Sequence, residues 1–173
     1  MPDDLFAVAI SGSPRVPSKS RTLAERALSE LEALGCRTQL IDVAVLPAEA
    51  LVVRAESSAV AEAIEAVGRA RIVVAASPTY RALYTGVLKC FFDLMPQEHL
   101  AGKFCVGLQT GIVPQHALSA EYGFRPLFAS LEGVPLAVTY ALDSDFTDGE
   151  PSAEVMARVG AAMRAAVNAA RAS

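Results

Sequence analysis

Residues 5–22 read LFAVAISGSPRVPSKSRT and contain three successive patterns. The apolar run 5–10 is typical of a buried parallel strand. A loop of small hydroxyl residues, glycine, prolines and bases follows it, and an amphipathic pattern that indicates a helix begins at Thr22. A strand, a loop and a helix in this order present a helix N-terminus, where free N–H groups and the helix dipole favour an anion.

This first loop, loop one (residues 11–20), matches neither of the common nucleotide-binding patterns GxxxxGK[ST] and GxGxxG. Its hydroxyl groups can donate hydrogen bonds to a phosphate, and Arg15 or Lys19 can add positive charge. The hydroxyl side chains at and just after the loop are those of Ser11, Ser13, Ser18, Ser20 and Thr22. We therefore predict that loop one holds a phosphate monoester; the alternative is a serine-rich polar surface turn.

Length and composition restrict the class of protein. A chain of 173 residues predicts one domain, residues 1–173, with a sizeable core. No stretch of 18 residues is apolar and free of charged residues, so we expect no membrane span. The acidic start at residues 1–4 is unlike a signal peptide, and we therefore expect a cytoplasmic protein. A net charge of −4 without a basic cluster argues against nucleic-acid binding.

The cysteines and histidines show no metal-binding or redox pattern. Cys36, Cys90 and Cys105 are far apart and form no C-x-x-C motif, which predicts buried thiols. His99 and His116 form no zinc signature, so we predict no metal site.

Strands and helices alternate five times along the chain. Strands after the first are predicted over 37–43, 71–76, 104–109 and 136–140, and helices over 20–33, from about 57, over 87–95, 116–131 and 152–171. Residues 47–56 are expected to form an irregular connection and residues 143–151 a polar loop. This alternation predicts an α/β fold with a five-stranded parallel sheet and helices on both faces. In the order 2-1-3-4-5, the loops after strands one, three and four meet at one crevice at the carboxyl ends of the strands.

The other two loops at that crevice suit a flat ring. Loop two (residues 77–86) carries Tyr80, Arg81 and Tyr84 beside a stiffening proline, and loop three (residues 110–115) contains Gly111, which permits close backbone approach to a ring edge. The alternatives are a surface loop whose tyrosines pack on a neighbouring subunit and a plain strand-to-helix turn. A phosphate at loop one and a ring at loops two and three describe a mononucleotide, and flavin mononucleotide (FMN) fits best.

Four segments together resemble the NADPH-dependent FMN reductase family, most closely the alkanesulfonate-type enzymes that supply reduced flavin to two-component monooxygenases. The segments are SGSPRVPSKSRT, SPTYRALYTGVLK, GKFCVGLQTG and HALSAEYGFRPLFASL, and the resemblance covers roughly residues 5–140. It implies a flavodoxin-like three-layer fold and FMN bound at the strand ends. It also implies hydride transfer from NADPH or NADH by a ping-pong or sequential route, and dimers that pair into tetramers.

The resemblance also assigns roles to residues. The phosphate and ribityl chain of FMN would be served by Ser11, Ser13, Arg15, Ser18, Ser20 and Thr22. The isoalloxazine would be lined by Pro78, Thr79, Tyr80 and Arg81, with Thr110 and Gly111 on its other edge. Tyr122 takes the position of a tyrosine linked to subunit pairing and flavin transfer. No catalytic side chain is required, because the flavin carries the chemistry.

Two positions of loop three and the helix after it raise separate questions. Ile112 stands where relatives usually have a second glycine, and its side chain could narrow the space over the ring. His116 could touch the site, although a helix-capping or interface role is the favoured interpretation.

The sequence is compatible with several activities. The first is an NAD(P)H-dependent FMN reductase that feeds a monooxygenase. The alternative is a flavoenzyme that retains FMN and reduces quinones, azo compounds or metal oxyanions. An electron carrier would need a strongly acidic docking face, whereas we expect the bases Arg15, Lys19, Arg21 and Arg81 to cluster at the mouth. A structural or regulatory role without flavin is the remaining possibility. Arg21 or Arg81 could pair with a nucleotide 2′-phosphate, and the sequence leaves the choice between NADH and NADPH open.

Apolar residues concentrate in loop two and in the third and fourth helices. They are Tyr80, Leu83, Tyr84, Phe91, Phe92, Leu94, Tyr122, Phe124, Leu127 and Phe128. Because one sheet face cannot easily bury them all, we predict a homodimer or homotetramer with Tyr84 and Tyr122 near the subunit contacts. The alternative is that these residues fill the core beneath the two helices.

Overall fold

The computed structural model describes residues 5–173, so the acidic start at residues 1–4 lies outside the described residues. Five parallel strands form one sheet in the order β2-β1-β3-β4-β5. They are β1 (Phe6–Ser11), β2 (Arg37–Asp42), β3 (Ile72–Pro78), β4 (Phe104–Gly111) and β5 (Val134–Leu142). The predicted α/β class and strand order are confirmed.

Helices cover both faces of the sheet. They are α1 (Lys19–Ala33), α2 (Ala48–Leu51), α3 (Ser58–Arg69), α4 (Gly86–Asp93), α5 (His116–Ala129) and α6 (Ala153–Ala172). α1 and α6 share one buried cluster with alternate residues of the strands, whereas α3, α4 and α5 share the other. The flavodoxin-like three-layer arrangement therefore follows from strands that are apolar on both sides.

Helix boundaries follow the local sequence signals. α1 buries Leu23, Ala27 and Leu31 at helical spacing, and Gly35 follows its end with a φ of +87°. That left-handed conformation is typical of a glycine that terminates a helix. The Ser57 hydroxyl caps α3 by accepting from the Val60 N–H.

Two segments predicted as irregular contain short elements. Residues 47–56 include the four-residue helix α2, and residues 143–151 include a 3₁₀ turn (Asp143–Asp145) followed by a small hairpin of β6 (Phe146–Thr147) and β7 (Glu150–Pro151). Elements this short span too few residues to produce a periodic pattern, so periodicity could not reveal them.

The central strands also extend two residues further than predicted. β3 runs to Pro78 and β4 to Gly111, and Pro78 pairs with Thr110 in the sheet. Thr110 and Gly111, predicted as the start of loop three, are therefore strand residues. Polar and glycine residues continue the ladder here because their backbone pairing does not depend on an apolar side chain.

The phenylalanines of α4 and α5 lie in the core and not at an interface. Phe91, Phe92, Phe124 and Phe128 are at most 2% exposed, and the Phe124 and Phe128 rings stack with centroids 5.6 Å apart. The expectation that one sheet face could not bury these aromatics was wrong for these four. Helices α3, α4 and α5, together with the short α2, cover this face, and each of the four rings contacts at least one of the others.

The cysteines are free and mostly buried. Cys36 and Cys105 are buried as predicted, whereas Cys90 is half-buried. Burial raises the pKa of the Cys105 thiol to about 12, so it stays protonated at neutral pH. Within residues 5–173, no helix combines the length and apolar character needed to cross a membrane.

Candidate functional site

A cleft of about 710 Å³ opens at the carboxyl ends of β3 and β4. It is lined by Pro78, Thr79, Tyr80, Arg81, Ala82, Thr110, Gly111, Ile112, Val113, His116 and Asp143. All six residues predicted to line a flat ring are therefore brought together here. Loops two and three form this cleft as the strand order requires.

Thr79 is fixed at the cleft by three hydrogen bonds. Its N–H and its hydroxyl both donate to the Thr110 carbonyl, at 2.7 and 2.8 Å, and its hydroxyl accepts from Gln109 Nε2 at 2.8 Å. Gln109 is fully buried, and its Oε1 atom has no partner within residues 5–173. Sequence reasoning missed Gln109; a polar residue at the end of a buried strand was the available signal.

Gly111 is required by its neighbours inside the protein. A Cβ atom at this position would lie 2.8 Å from Thr79 Oγ1 and would also collide with the Tyr140 hydroxyl. The close approach of Gly111 to a ring edge stays a prediction.

Tyr140 is a second residue that sequence reasoning missed. Its hydroxyl donates to the Val113 carbonyl at 2.8 Å and thereby holds loop three against the end of β5. Burial raises the pKa of Tyr140, so the phenol remains a donor at neutral pH.

Loop two contains a tight turn from Tyr80 to Leu83. The two residues exchange backbone hydrogen bonds of 2.8 and 3.2 Å, and the central residues Arg81 and Ala82 have φ values of +51° and +67°. This is the geometry of a type I′ turn, which normally takes asparagine and glycine. Each non-glycine residue in this conformation costs about 1 kcal/mol. The turn presents Arg81, which is exposed, at the edge of the cleft.

Loop one lies beside the cleft but contributes none of its lining residues. Ser11, Ser13 and Ser20 are buried, Ser18 and Thr22 are half-buried, and Arg15 is exposed. The Ser13 hydroxyl donates to the Arg15 carbonyl at 3.0 Å and accepts from the Arg15 N–H at 3.1 Å, which shapes the turn. The Ser18 and Ser20 hydroxyls are 2.9 Å apart, and the Ser11 hydroxyl is buried without a partner within residues 5–173.

The N-terminus of α1 begins directly after loop one. Ser18 is its N-cap residue, but the Ser18 side chain makes no capping hydrogen bond. The first N–H groups of the helix are therefore not satisfied by a side-chain cap, and the helix dipole adds positive potential there.

Thr85 joins loop one to loop two. Its hydroxyl donates to the Gly12 carbonyl at 2.5 Å and accepts from the Leu88 N–H at 3.1 Å, so the same oxygen also caps α4. Gly12 has to be glycine here, because a Cβ atom would lie 2.5 Å from Leu88 Cβ.

The four bases predicted at the mouth have different environments. Lys19 lies 3.1 Å from an Asp143 carboxylate oxygen, and Arg21 pairs with Asp42 at 2.5 Å and with Glu25 at 2.9 Å. Within residues 5–173, the Arg15 and Arg81 guanidinium groups make no ion pair. Carboxylates therefore neutralise two of the four bases predicted to cluster at the mouth, and of the four only Arg81 lines the cleft.

His116 and Ile112 both line the cleft. Gln115, and not His116, is the N-cap of α5, so the capping interpretation of His116 was wrong. His116 Nδ1 is buried without a partner within residues 5–173. The Ile112 side chain is 79% exposed at the edge of the cleft.

The fold and the position of the cleft define a class of α/β protein that binds ligands at the ends of parallel strands. A flavodoxin from Streptococcus pneumoniae has the same fold, with a TM-score of 0.65 at 13% identity over 95% of this chain and 98% of that one. A solved NADH:FMN oxidoreductase, EMOB in its apo form, is much more similar. It gives a TM-score of 0.87 at 33% identity over 97% of this chain and 89% of that chain.

Curated relatives point the same way. An NADH-dependent FMN reductase SfnF from Pseudomonas fluorescens is 35% identical over 87% of this chain and 83% of its own length. An FMN reductase (NADPH) from Escherichia coli is 32% identical over 82% of this chain and 75% of its own length. The model of the NADPH-dependent FMN reductase family matches residues 7–147. The chain belongs to this family, and it is therefore an oxidoreductase of the NAD(P)H:FMN type.

The Thr85 contact yields a test of how loops one and two are held. Thr85→Val removes the buried hydroxyl and leaves the Gly12 carbonyl and the Leu88 N–H without their partner. We expect it to lower the free energy of unfolding by about 1–3 kcal/mol and to weaken FMN binding. Urea unfolding and flavin titration measure the two effects.

Thr85→Ser is the matched control, because it keeps the hydroxyl and loses only a methyl group. It should retain most of the stability and flavin affinity. If the valine and serine variants lost stability equally, the hydrogen bonds would not be the cause.

Proposed function

We propose that this FMN reductase releases reduced FMN as a product and supplies it to a flavin-dependent monooxygenase. The observation that carries the proposal is the cleft at the ends of β3 and β4, which gathers all six residues predicted to line the isoalloxazine. The resemblance to the alkanesulfonate-type enzymes supports the monooxygenase link. The names of the SfnF and SfnE relatives, both NADH-dependent FMN reductases, are consistent with a shared role.

The cleft suits the flat ring of FMN. Pro78, Tyr80 and Val113 supply apolar surface, while Thr79 and Thr110 supply backbone and hydroxyl groups at its base. When bound, FMN supplies the two-electron chemistry. In this proposal the side chains orient the ring, and none of them acts as acid, base or nucleophile.

The segment beside the cleft suits the phosphate. The Ser11 hydroxyl is buried without a hydrogen-bond partner within residues 5–173, and the α1 N-terminus has no side-chain cap. An uncapped helix N-terminus with nearby hydroxyls and the exposed Arg15 is a suitable environment for a phosphate ester. In this proposal, Ser11, Ser13, Arg15, Ser18, Ser20 and Thr22 bind the phosphate and ribityl chain.

Exposure of the rim supports flavin exchange. Ile112 directs most of its surface to solvent, and Tyr80 is 43% exposed. Side chains with this exposure leave the cleft accessible, so the isoleucine at position 112 does not by itself argue against flavin as a substrate.

We also propose a homo-oligomer whose contacts include α5. Leu118 and Tyr122 are one helical turn apart and 64% and 75% exposed, and the exposed Ile112 precedes the same helix. Exposed apolar residues grouped on one helix are typical of a subunit interface. Tyr84 is half-buried and packs against Phe124, so its part in the interface is secondary.

The phosphate assignment is tested by a double substitution. Ser13→Ala with Ser20→Ala removes two hydroxyls from the loop and should weaken FMN binding by about 30-fold or more. Riboflavin lacks the phosphate, so its affinity should change less than about 3-fold, and fluorescence titration compares the two ligands. Ser29→Ala on the exposed side of α1 is the control and should leave both affinities unchanged. Equal losses for FMN and riboflavin would contradict the phosphate site.

Flavin release is tested by anaerobic turnover. With NADPH or NADH and a large excess of free FMN, the visible absorbance of the whole flavin pool should bleach, and the reduced flavin should pass through an ultrafiltration membrane. A retained-flavin enzyme would bleach only one equivalent per subunit and would need a quinone or azo acceptor for further turnover. That result would replace the proposed function with the alternative.

Assembly is tested by sedimentation at low micromolar concentration. The proposal predicts a mass of two or four times 18.1 kDa, and Tyr122→Ala should shift the distribution towards smaller species. Val45→Ala is the control, because Val45 is 74% exposed but lies after β2, at the other edge of the sheet. A monomer at every concentration would exclude the interface.

A further inference from the structure

We propose that the Arg81 guanidinium binds a phosphate group of the nicotinamide nucleotide. This inference rests on the NAD(P)H:FMN reductase activity and adds a residue that recognises the reductant. It adds a second role for Arg81, because the family resemblance implies only that Arg81 lines the isoalloxazine.

The charges around the cleft single out Arg81. Asp143 also lines the cleft, but Lys19 neutralises it at 3.1 Å. Among the described lining residues, Arg81 is the one arginine or lysine, and it has no ion pair within residues 5–173. Nicotinamide dinucleotides carry a diphosphate, and NADPH carries a further 2′-phosphate. A planar guanidinium is the side chain best suited to bind such groups with two parallel hydrogen bonds.

Arg21, the other arginine that could pair with a 2′-phosphate, already forms ion pairs with two carboxylates. Arg21 is held between Asp42 and Glu25, and neither it nor its partners line the cleft. An arginine that already pairs with two carboxylates offers little attraction to a further anion. The structure therefore leaves Arg81 as the candidate.

The backbone of the Tyr80–Leu83 turn fixes the position of the Arg81 Cα atom. Reciprocal hydrogen bonds between Tyr80 and Leu83 close the turn, and Leu83 in turn packs over Gly123 of α5. Arg81 occupies a left-handed position, φ +51°, that glycine or asparagine would adopt at lower cost. Non-glycine residues held in such conformations concentrate at binding loops, which fits an arginine kept for its side chain.

Arg15 and Arg81 would then serve two different phosphates. Arg15 belongs to loop one, which contributes no residue to the cleft lining, whereas Arg81 is at the cleft edge. Loop one would bind the phosphate of the flavin, and the Tyr80–Leu83 turn would bind a phosphate of the reductant. This division predicts that the two arginines affect different ligands.

The test uses Arg81→Gly, because glycine removes the guanidinium and also suits the left-handed backbone, so the fold should be retained. At low ionic strength, we expect the KM for the nucleotide to rise by about 10-fold or more. The kcat should fall less than kcat/KM, and any loss of FMN affinity should be shared equally by riboflavin, because the two ligands carry the same ring. Arg81→Lys keeps the charge without the planar fork and should recover part of the loss. Added salt should raise the KM of the unmodified enzyme more than that of Arg81→Gly.

Arg69→Ala is the matched control for net charge. Arg69 is exposed near the C-terminal end of α3, at the opposite end of the sheet from the cleft, and pairs with Glu65 at 2.7 Å. It should leave the KM for either nucleotide unchanged.

The two nucleotides show which phosphate is bound. A larger loss with NADPH than with NADH assigns Arg81 to the 2′-phosphate, and equal losses assign it to the diphosphate; both results support the proposal. An unchanged KM for both, or a loss of FMN affinity relative to riboflavin, would overturn it. If the unmodified enzyme reduced no flavin with either nucleotide, the reductase function itself would fail, which is a distinguishable result.

Discussion

Parallel pairing of β1, β3 and β4 continues one step beyond the strands, and the site depends on this extension. The Gly12 N–H donates to the Ala76 carbonyl at 2.7 Å, and the Thr79 N–H donates to the Thr110 carbonyl at 2.7 Å. These bonds fix the first residue after β1 and after β3 relative to the neighbouring strand. The loops therefore leave the sheet from positions that the backbone ladder sets, and their side chains need only local contacts to form a site.

Buried polar contacts at the base of the site and exposed side chains at its edge have different consequences. Thr79, Gln109 and Tyr140 are tied to backbone carbonyls or to one another, so the base has one arrangement. Tyr80 and Ile112 at the edge make much less contact with the protein. A rigid base with an accessible edge suits an enzyme that orients a flavin ring and, as proposed, also exchanges it.

The sequence was sufficient for the five strands and the five longer helices, because long apolar runs and turn residues are local signals. It placed the starts of loops two and three two residues too early, because β3 and β4 continue through Pro78 and Gly111. It was insufficient for the contacts that complete the site. Gln109 and Tyr140 look like ordinary strand residues, and their roles depend on neighbours that only the folded chain supplies. The left-handed turn at Arg81 and Ala82 was not predictable, because neither residue type favours that conformation.

Ion pairs between residues far apart in the sequence were also not predictable. Lys19 and Asp143 are 124 residues apart in the sequence, and Arg21 and Asp42 are 21 residues apart. The number of charged residues can be read from the sequence, but which of them form ion pairs cannot. Once the pairs form, the positive charge expected at the mouth from four bases is reduced to that of Arg15 and Arg81.

Each of these two arginines lies on a different loop, and loop two contacts α5, the helix that also carries the exposed Tyr122. Leu83 and Tyr84 pack against Gly123, one residue after Tyr122. A subunit that docked on α5 would therefore lie close to the turn that holds Arg81. If both proposals hold, assembly and access of the reductant depend on the same small region of the surface, and the exposed face of α5 is then physically connected to catalysis.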